Sequence, residues 1–347
     1  MRRKSGEIEE RLARWIHRTG LPSLLGKLPQ RNALVVINYH RVGDAERTPY
    51  DPGVFSADAT EFRAQMEFVA RHMAPLTLAE SLAYLQDPAQ RHGSGRCRAL
   101  ITFDDGYLDN FEVAFPILRE VGLQGVFFLP TSLVGSAEIP WWDVIAFIVK
   151  SARRRAFQLT YPRAARFDLD VDGLGNVLRE VLNLYKQPEM LDADRFVGEL
   201  EAACQGRRPE EGKAERCFMS WDEAAKMARG GMAIGAHTHT HRLLGRLPES
   251  EQRDELATSR RILRERVNVE AETIAYPVGQ PSSFTSRTKA LAAEAGYRAG
   301  FSFYGGINGG SHPVDPFDVR RVGADAQSVE RFCVQTAAAA TLGSWWP

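Results

Sequence analysis

Apolar residues along the chain fall into seven short runs rich in Val, Ile, Phe and Tyr, each of strand length. In chain order the runs are "ALVVINYH" (33–40), "ALITFDD" (99–105), "GVFFLP" (125–130), "MAIGAH" (232–237), "TIAYP" (273–277), "AGFSF" (299–303) and "VRRVGA" (319–324). Helical periodicity marks most of the stretches between them, for example residues 61–72 and 254–267. This alternation predicts a parallel sheet with helices outside it, closed into an α/β barrel.

The gap between the third and fourth runs is too long for a single crossover helix. It contains three helix-like stretches, followed by the polar and charged segment "QGRRPEEGKAER" (205–216), which is typical of a loop. We therefore predict one barrel domain over residues 33–347, with a mostly helical insertion at about residues 137–218.

Residues 1–32 form a separate amphipathic segment before the first run. Ile8, Leu12, Trp15 and Ile16 recur at helical spacing, with charged residues on the other face. One interpretation is a helix that caps the domain, and the other is a helix that lies on a membrane surface.

Charge and cysteine content indicate which kinds of partner and which cellular compartment to expect for the protein. The 44 basic and 44 acidic residues balance to a formal net charge of zero, so nucleic acid is not expected as a partner. The four cysteines are scattered without a disulfide or zinc-ribbon spacing, which predicts reduced thiols. Because no apolar run has the length of a signal peptide or membrane span, we expect a cytoplasmic protein that can touch the inner membrane peripherally.

Polar side chains with catalytic potential follow several of the predicted strands. His40 ends the first run, Asp104 and Asp105 end the second, and His237 ends the fourth. The carboxyl ends of parallel barrel strands converge on one face, where active sites are built. We therefore expect these side chains to lie close together.

The segment "HTHTH" (237–241) adds a second histidine to this group. If the chain turns helically after the strand, His237 and His241 share one face because they are four residues apart. A solvated loop explains this segment taken alone, and a turn explains "DDG" taken alone. Together they supply two imidazoles and one carboxylate, the three-ligand set with an open position that a catalytic zinc ion uses. The predicted cofactor is a divalent metal, with Zn²⁺ as the first choice.

"TFDDG" (102–106) followed far downstream by "HTHTH", which fits His-[Ser/Thr]-x-x-His, resembles the polysaccharide deacetylase family. This family is the NodB-homology domain of carbohydrate esterase family four, and the resemblance extends over about residues 33–324. It implies a distorted (β/α)7 barrel that removes N-acetyl groups from a sugar with the help of a metal ion. It also implies Asp105, His237 and His241 as metal ligands and Asp104 as the general base.

Two other family motifs differ in this chain. Ala275-Tyr276-Pro277 stands where the family usually has Arg-x-Pro, and the carboxy-terminal Leu-x-His motif is not found. Both departures resemble a branch acting on exopolysaccharides, with an "AYPYG"-like segment and a Tyr-His pair before the "DDG" motif. That resemblance implies His40 as the general acid, although His40 could also be a packing histidine. The sequence itself offers His312 in "GGINGGSHPVDP", before the seventh run, as the other candidate.

Four side chains are candidates for substrate contact. Tyr276 and Pro277 occupy the altered motif, and Trp142 could either stack on a sugar ring or anchor the insertion. Arg321 could replace the missing arginine, since strand alternation allows only one of Arg320 and Arg321 to point inward, although each could also be structural or surface-exposed.

These patterns predict a hydrolase, a sugar N-deacetylase acting on a surface glycan, a polysaccharide or a lipid-linked sugar. One alternative is hydrolysis of a non-sugar amide or imide on the same barrel. The other is a binding module that retains a metal without turnover, which the missing Arg-x-Pro favours and the intact "DDG" and histidines oppose. The sequence does not define an oligomeric state.

Overall fold

A computed structural model describes residues 33–87, 89, 96–187, 189–210, 216–309, 314–324, 330–333 and 335. The predicted helical segment at residues 1–32 and the candidate acid His312 lie outside these residues. The chain divides into two compact units. The larger takes its described residues from Met1–Gly43, Phe55–Gly135 and Phe218–Pro347, and the smaller consists of Asp44–Val54 and Ser136–Cys217.

The strands are numbered in chain order. They are β1 (Ala33–Tyr39), β2 (Arg41–Val42), β3 (Phe55–Ala57), β4 (Ala74–Pro75), β5 (Arg98–Phe103), β6 (Gly125–Leu129), β7 (Ala156–Leu159), β8 (Ala165–Asp168), β9 (Ala233–Ala236), β10 (Thr273–Ala275), β11 (Ala299–Phe301), β12 (Asn308–Gly309) and β13 (Val322–Gly323). Parallel neighbours in the larger unit follow the order β11, β10, β9, β6, β5, β1, and β13 then pairs in parallel with β1.

The two edges of this sheet meet through the segment that leads into β13. Phe301 of β11 bridges Val319 in parallel, and three residues later Val322 pairs with Ile37 of β1. Seven parallel strands therefore form a closed ring, which confirms the predicted distorted (β/α)7 barrel. The shorter strand β12 adds to β1 in antiparallel orientation, and β4 adds to β5.

Helices cover the outside of the ring. Those of the larger unit are α1 (Ala59–His72), α2 (Leu78–Gln86), α3 (Phe115–Val121), α7 (Trp221–Arg229), α8 (Glu249–Val267) and α9 (Ser286–Glu294). Their starts follow ordinary capping rules, as where Ser220 and Glu223 form a capping box at α7. Among the described residues, no helix combines the length and apolar character needed to cross a membrane.

Strand alternation sends neighbouring side chains of the barrel into two cores. In β1, Val35 and Ile37 join the apolar cluster that packs under the helices, while Leu34 and Val36 join the other cluster, with residues of β5, β6, β10 and β11. The strands are therefore buried on both faces, which fixes where each one ends and which residues follow it.

The smaller unit contains the helices α4 (Trp141–Lys150), α5 (Leu174–Tyr185) and α6 (Ala193–Cys204) and a hairpin of β7 and β8. The sequence pattern predicts the helices but neither the hairpin nor the participation of Asp44–Val54. That segment is joined to α4 by a hydrogen bond of 3.0 Å from the Asp51 amide to Asp143 Oδ1, and both residues are buried.

Candidate active site

Asp104 and Asp105 extend from the end of β5, and the backbone separates their side chains. The Asp104 amide donates to the Tyr39 carbonyl at 3.0 Å, so Asp104 still follows the strand ladder. Asp105 and Gly106 then take left-handed conformations with φ of 73° and 69°. A Cβ on Gly106 would lie 2.9 Å from Leu129, so glycine is required there for space as well as for backbone conformation. This turn gives the two carboxylates different partners.

Asp104 is held by a buried arginine. Arg321 donates from its two terminal nitrogens to Asp104 Oδ1 at 2.7 Å and Oδ2 at 2.8 Å, a bidentate pair. Asn38 adds a third hydrogen bond to Asp104 Oδ2 at 3.2 Å. Arg321 is fully buried and Asp104 is 3% exposed, so this ion pair lies out of contact with solvent.

The remaining polar atoms of this group also have partners. Arg321 Nε donates to the Ser302 carbonyl at 3.0 Å, and Asn38 Oδ1 accepts from Arg321 at 2.7 Å and from the Thr102 hydroxyl at 2.8 Å. Burial raises the pKa of Asp104, but the charge and hydrogen bonds of Arg321 together with the charges of nearby histidines outweigh it and hold the pKa below its ordinary value. Asp104 is therefore ionised at neutral pH and fixed in orientation.

Asp105 faces two imidazoles. His241 Nε2 lies 3.2 Å and His237 Nε2 lies 3.5 Å from Asp105 Oδ1. His237 Nδ1 lies 2.8 Å from the Ala275 carbonyl oxygen, which can only accept. Nδ1 is then a protonated nitrogen, and Nε2 is the ring atom that faces the carboxylate. All three side chains are buried.

This group fits a divalent metal ion. One nitrogen or oxygen atom from each of Asp105, His237 and His241 lies within 4.8 Å of the others, the one such cluster of His, Cys, Asp or Glu among the described residues. Ligand atoms of a tetrahedral zinc ion are about 3.3 Å apart, close to the two distances above. Three electron-pair donors that converge in a buried place repel each other unless a cation lies between them.

The pKa shifts of Asp105, His237 and His241 also arise from their burial close to one another. Burial raises the pKa of Asp105, but hydrogen bonds with His237 and His241 hold it well below the ordinary value. Burial lowers the pKa of His237, but the charge of Asp104 and the bond with Asp105 raise it overall. Burial lowers the pKa of His241, and in this case it prevails. The negative field that favours a proton on His237 equally favours a metal ion.

The segment that joins the two histidines is not the helical turn that the spacing predicts. Residues 238–241 form a bend in which Thr238 and His241 have φ of 64° and 57°. The His241 amide donates to Thr238 Oγ1 at 3.1 Å, which closes the bend. The two imidazole centroids lie 4.8 Å apart, so left-handed residues bring about the proximity that we expected from a helix.

His40 follows β1 and is half-buried. Its amide donates to Ser56 Oγ at 3.0 Å, and its carbonyl accepts from Asn110 Nδ2 at 2.7 Å. Its imidazole meets the ring of Phe303, with centroids 5.7 Å apart. Tyr39 pairs in parallel with Phe103, so His40 and Asp104 follow neighbouring strands at the same end of the barrel.

The candidate substrate residues are buried in this structure. Tyr276 is fully buried, stacks on Phe284 and donates its hydroxyl to the Phe317 carbonyl at 3.1 Å, so these contacts pack the barrel. Pro277 is likewise buried. Trp142 is 5% exposed within the smaller unit, as the anchoring interpretation requires.

Arg321 is held by hydrogen bonds to Ser302, Asn38 and Asp104, which fits the structural alternative for this residue. It is the inward-pointing member of the pair, whereas Arg320 is exposed with its guanidinium 5.3 Å from the Tyr304 ring centroid. Sequence analysis missed Asn38, although a single polar residue inside the apolar run "ALVVINY" is a detectable signal.

The fold and the site define a parallel α/β barrel with a candidate metal centre at the carboxyl ends of its strands. A sequence model of the polysaccharide deacetylases matches residues 172–300, a range that includes His237 and His241. This match agrees with the resemblance to the polysaccharide deacetylase family that the paired motifs carry.

Individual relatives are distant. The Bacillus subtilis (strain 168) protein YxkH, named provisionally as a polysaccharide deacetylase, is 21% identical over 269 residues, which are 77% of this chain and 63% of YxkH. The deacetylase PplD of Streptococcus pyogenes is 15% identical with a TM-score of 0.56, covering 88% of this chain and 98% of PplD. IcaB of Ammonifex degensii is 21% identical with a TM-score of 0.54, covering 89% and 97%. The two structures show that the barrel fold is shared.

Proposed function

We propose that this protein is a metal-dependent hydrolase that removes N-acetyl groups from an N-acetylated saccharide. The observation that carries the proposal is the separation of two neighbouring carboxylates, Asp105 with two imidazoles and Asp104 with a guanidinium. Amide hydrolysis needs both an electrophilic centre and a base beside it. Asp105 with the two imidazoles supports the first, and Asp104 with the guanidinium supports the second.

Asp105, His237 and His241 would hold the divalent ion, for which their donor atoms favour Zn²⁺. Such an ion polarises an amide carbonyl and makes water a stronger nucleophile at neutral pH. The Ala275 carbonyl fixes the ring of His237, so that Nε2 is the ligand atom.

Asp104 serves as the general base. Its Oδ2 lies 4.0 Å from His237 Nε2, beside the ligand atoms without being one of them. The carboxylate removes a proton from the attacking water, while Arg321 and Asn38 keep it ionised and correctly oriented. Arg321 thus supplies the guanidinium that Arg-x-Pro would provide, which weakens the case for a binding module without turnover.

His40 serves as the general acid. An amide nitrogen leaves poorly as an anion, so a positioned group must protonate it as the bond breaks. The His40 main chain is fixed on both sides by Ser56 and Asn110, which favours a defined imidazole position. His312 is the alternative donor, and a comparison of His40→Ala with His312→Ala at equal metal content distinguishes them.

The substrate class is inferred from the family. The name of YxkH refers to a polysaccharide, and the PplD structure is described in complex with acetate, which is the product of N-acetyl hydrolysis. A polymer, a surface glycan and a lipid-linked sugar share the N-acetyl group that the reaction requires.

We place the protein in the cytoplasm, with peripheral contact to the inner membrane through residues 1–32. All four cysteines are among the described residues, where they are buried and form no disulfide, and this supports a reducing compartment. Fractionation tests the location, since a peripheral protein is released from membranes by salt or alkali.

The activity is tested by measuring acetate release from a panel of N-acetyl sugars, N-acetylated polymers and non-sugar amides. The chain is first stripped of metal with a chelator and then assayed with and without zinc. We expect zinc-dependent acetate release from at least one N-acetylated saccharide and none from the Asp105→Ala variant. Release only from non-sugar amides would favour the amide hydrolase alternative, and zinc binding without any release would contradict the proposal.

A further inference from the structure

The bend that carries His241 is held by one acidic side chain of α8. Glu255 Oε2 accepts from the amides of His239 and Thr240, each at 2.8 Å, and Glu255 Oε1 accepts from the Thr240 hydroxyl. Glu255 is 7% exposed, so its charge is largely removed from water. Burial of a carboxylate costs several kcal/mol unless donors compensate it, and in this structure all three of these donors belong to one short segment.

The opposite side of the same bend is held from the end of β6. The Ser132 amide donates to the His239 carbonyl at 2.9 Å, and the Thr131 amide donates to the Thr238 carbonyl at 3.2 Å. Thr131 Oγ1 also lies 2.9 Å from His239 Nδ1. Glu255 thus binds N–H groups of the bend while Thr131 and Ser132, which follow β6, bind its carbonyls, and removal of either set leaves the bend attached on one side only.

Such attachment is needed because the bend is strained. Thr238 and His241 lie in the left-handed region of backbone conformation, which is uncommon outside glycine and most unfavourable for the β-branched Thr238. Strained residues persist only where surrounding contacts determine them. His241 directly follows Thr240, so a change at Thr240 moves the imidazole whose Nε2 faces Asp105 at 3.2 Å.

We propose that Glu255 is a positioning residue for the metal centre: its carboxylate fixes the bend at residues 238–241 and thereby the ligand atom of His241. The inference rests on the metal site of the proposed function. Partners that orient metal ligands typically contribute a factor of about 10 to 100 in metal affinity. Glu255 acts through hydrogen bonds, so the position of its oxygens matters more than its charge.

Zinc affinity of the metal-free full chain, measured by competition with a chromophoric chelator, tests this without any substrate. Glu255→Asp keeps the charge but withdraws the oxygens by one methylene, and we expect zinc affinity to fall about 10- to 100-fold. Glu255→Gln keeps the length and a carbonyl oxygen that can accept from both amides, and we expect zinc affinity within about threefold of wild type.

Two variants on the same helix serve as controls. Glu265→Asp changes an exposed acid paired with Arg261, and Leu263→Val lowers stability from a buried position. Both are expected to bind zinc as wild type does, so that a loss in Glu255→Asp is not explained by a less stable barrel. Melting temperatures of the metal-free proteins are recorded alongside.

The outcomes separate this inference from the proposed function. Failure of the wild-type chain to bind one zinc ion overturns both. If the wild type binds zinc and Glu255→Asp binds it equally well, only the positioning role of Glu255 is overturned. The positioning role is also overturned if Glu255→Gln loses as much zinc affinity as Glu255→Asp does. It is overturned as well if Leu263→Val loses as much zinc affinity as Glu255→Asp does.

Discussion

Two adjacent residues, Asp104 and Asp105, belong to two groups of side chains that balance charge in different ways. We call Asn38, Asp104 and Arg321 the base side, and Asp105, His237 and His241 the ligand side. On the base side a guanidinium and an amide group satisfy the carboxylate within the chain. On the ligand side the groups that meet are all electron-pair donors, and their charge is balanced only by protons or a metal ion.

The base side and the ligand side also differ in backbone conformation. The base side is built on and beside extended strands, with Asn38 inside β1 and Arg321 one residue before β13. The ligand side includes two left-handed residues, Asp105 and His241. The difference teaches that a buried ion pair can be assembled by strand pairing alone, whereas three converging ligands require turns whose conformation must be enforced by further contacts.

The largest expected effect separates the two sides by activity. Asp104→Asn should lower turnover by a factor of about 10² to 10⁴, because water is no longer deprotonated during attack. Its zinc affinity should stay near that of wild type, since Asp104 is not a ligand. Asp105→Ala should lose both zinc binding and turnover. Acetate release and zinc titration of the two variants check this, and near-full activity of Asp104→Asn would mean that the two roles are reversed.

The next effect concerns the stability of the base side. Arg321→Met should lower the free energy of unfolding by about 3–5 kcal/mol, because it leaves Asp104 as an uncompensated buried charge. Arg320→Met, the matched control at an exposed position, should change it by less than about 0.5 kcal/mol. Urea denaturation measures both, and equal values for the two variants would show that the buried pair has no special importance.

The pH dependence of this pair has a defined sign. Burial raises the pKa of Asp104, but Arg321, with a smaller contribution from nearby histidines, lowers it overall on folding. The stabilisation from the pair is therefore complete above the pKa of an unfolded aspartate, about 3.9, and is lost as the pH falls below it. The stability difference between wild type and Arg321→Met should accordingly shrink in acid.

A smaller effect is expected on the ligand side, where added zinc should raise the free energy of unfolding. Zinc at about 100 times its dissociation constant should stabilise the wild type by about 2.7 kcal/mol, because only the folded site binds it. His241→Ala should lose this stabilisation. His239→Ala should keep most of it, since His239 contacts Thr131 and is not part of the cluster. Thermal unfolding with and without zinc provides the measurement, and equal losses in the two variants would contradict the ligand assignment.

The smallest effect concerns strain near the ligand side. Val278 has φ of 64°, a conformation that a β-branched residue rarely adopts, shortly after the Ala275 carbonyl that orients His237. Val278→Gly should raise the free energy of unfolding by less than about 1 kcal/mol, because relief of strain exceeds the added chain entropy only slightly. Destabilisation in urea would indicate that packing of the valine side chain outweighs its backbone strain.

Sequence pattern predicted the barrel because its signals are local and repeated. Buried strands such as β1 and β6 are continuous apolar runs, and helical periodicity separates them. It also predicted which residues follow the strands, since the carboxyl ends of parallel strands meet at one face. The smaller unit was harder, because the recruitment of Asp44–Val54 depends on contacts distant in sequence.

Within the site, sequence could name the acids and imidazoles but not their supporting contacts. Alternation showed that one of Arg320 and Arg321 points inward, but the partner of Arg321 became visible only when the ring closed. Glu255 carries no sequence signal at all, because an acid in a charged helix is ordinary. Tyr276 was assigned to a substrate by its motif, whereas burial and its bond to Phe317 give it a packing role.

Closure of the barrel through its last strand also determines when the site can be completed during folding. Arg321 is 217 positions from Asp104, so the carboxylate is synthesised long before its counter-charge. Contacts of such long separation form late, because a large loop must first close. The ligand side spans a shorter stretch and lies wholly within the part made earlier. A nascent chain that ends before Val319 therefore already contains every candidate metal ligand but cannot yet pair Asp104 with Arg321. The chain is therefore expected to gain hydrolytic activity only after its last strand has closed the barrel.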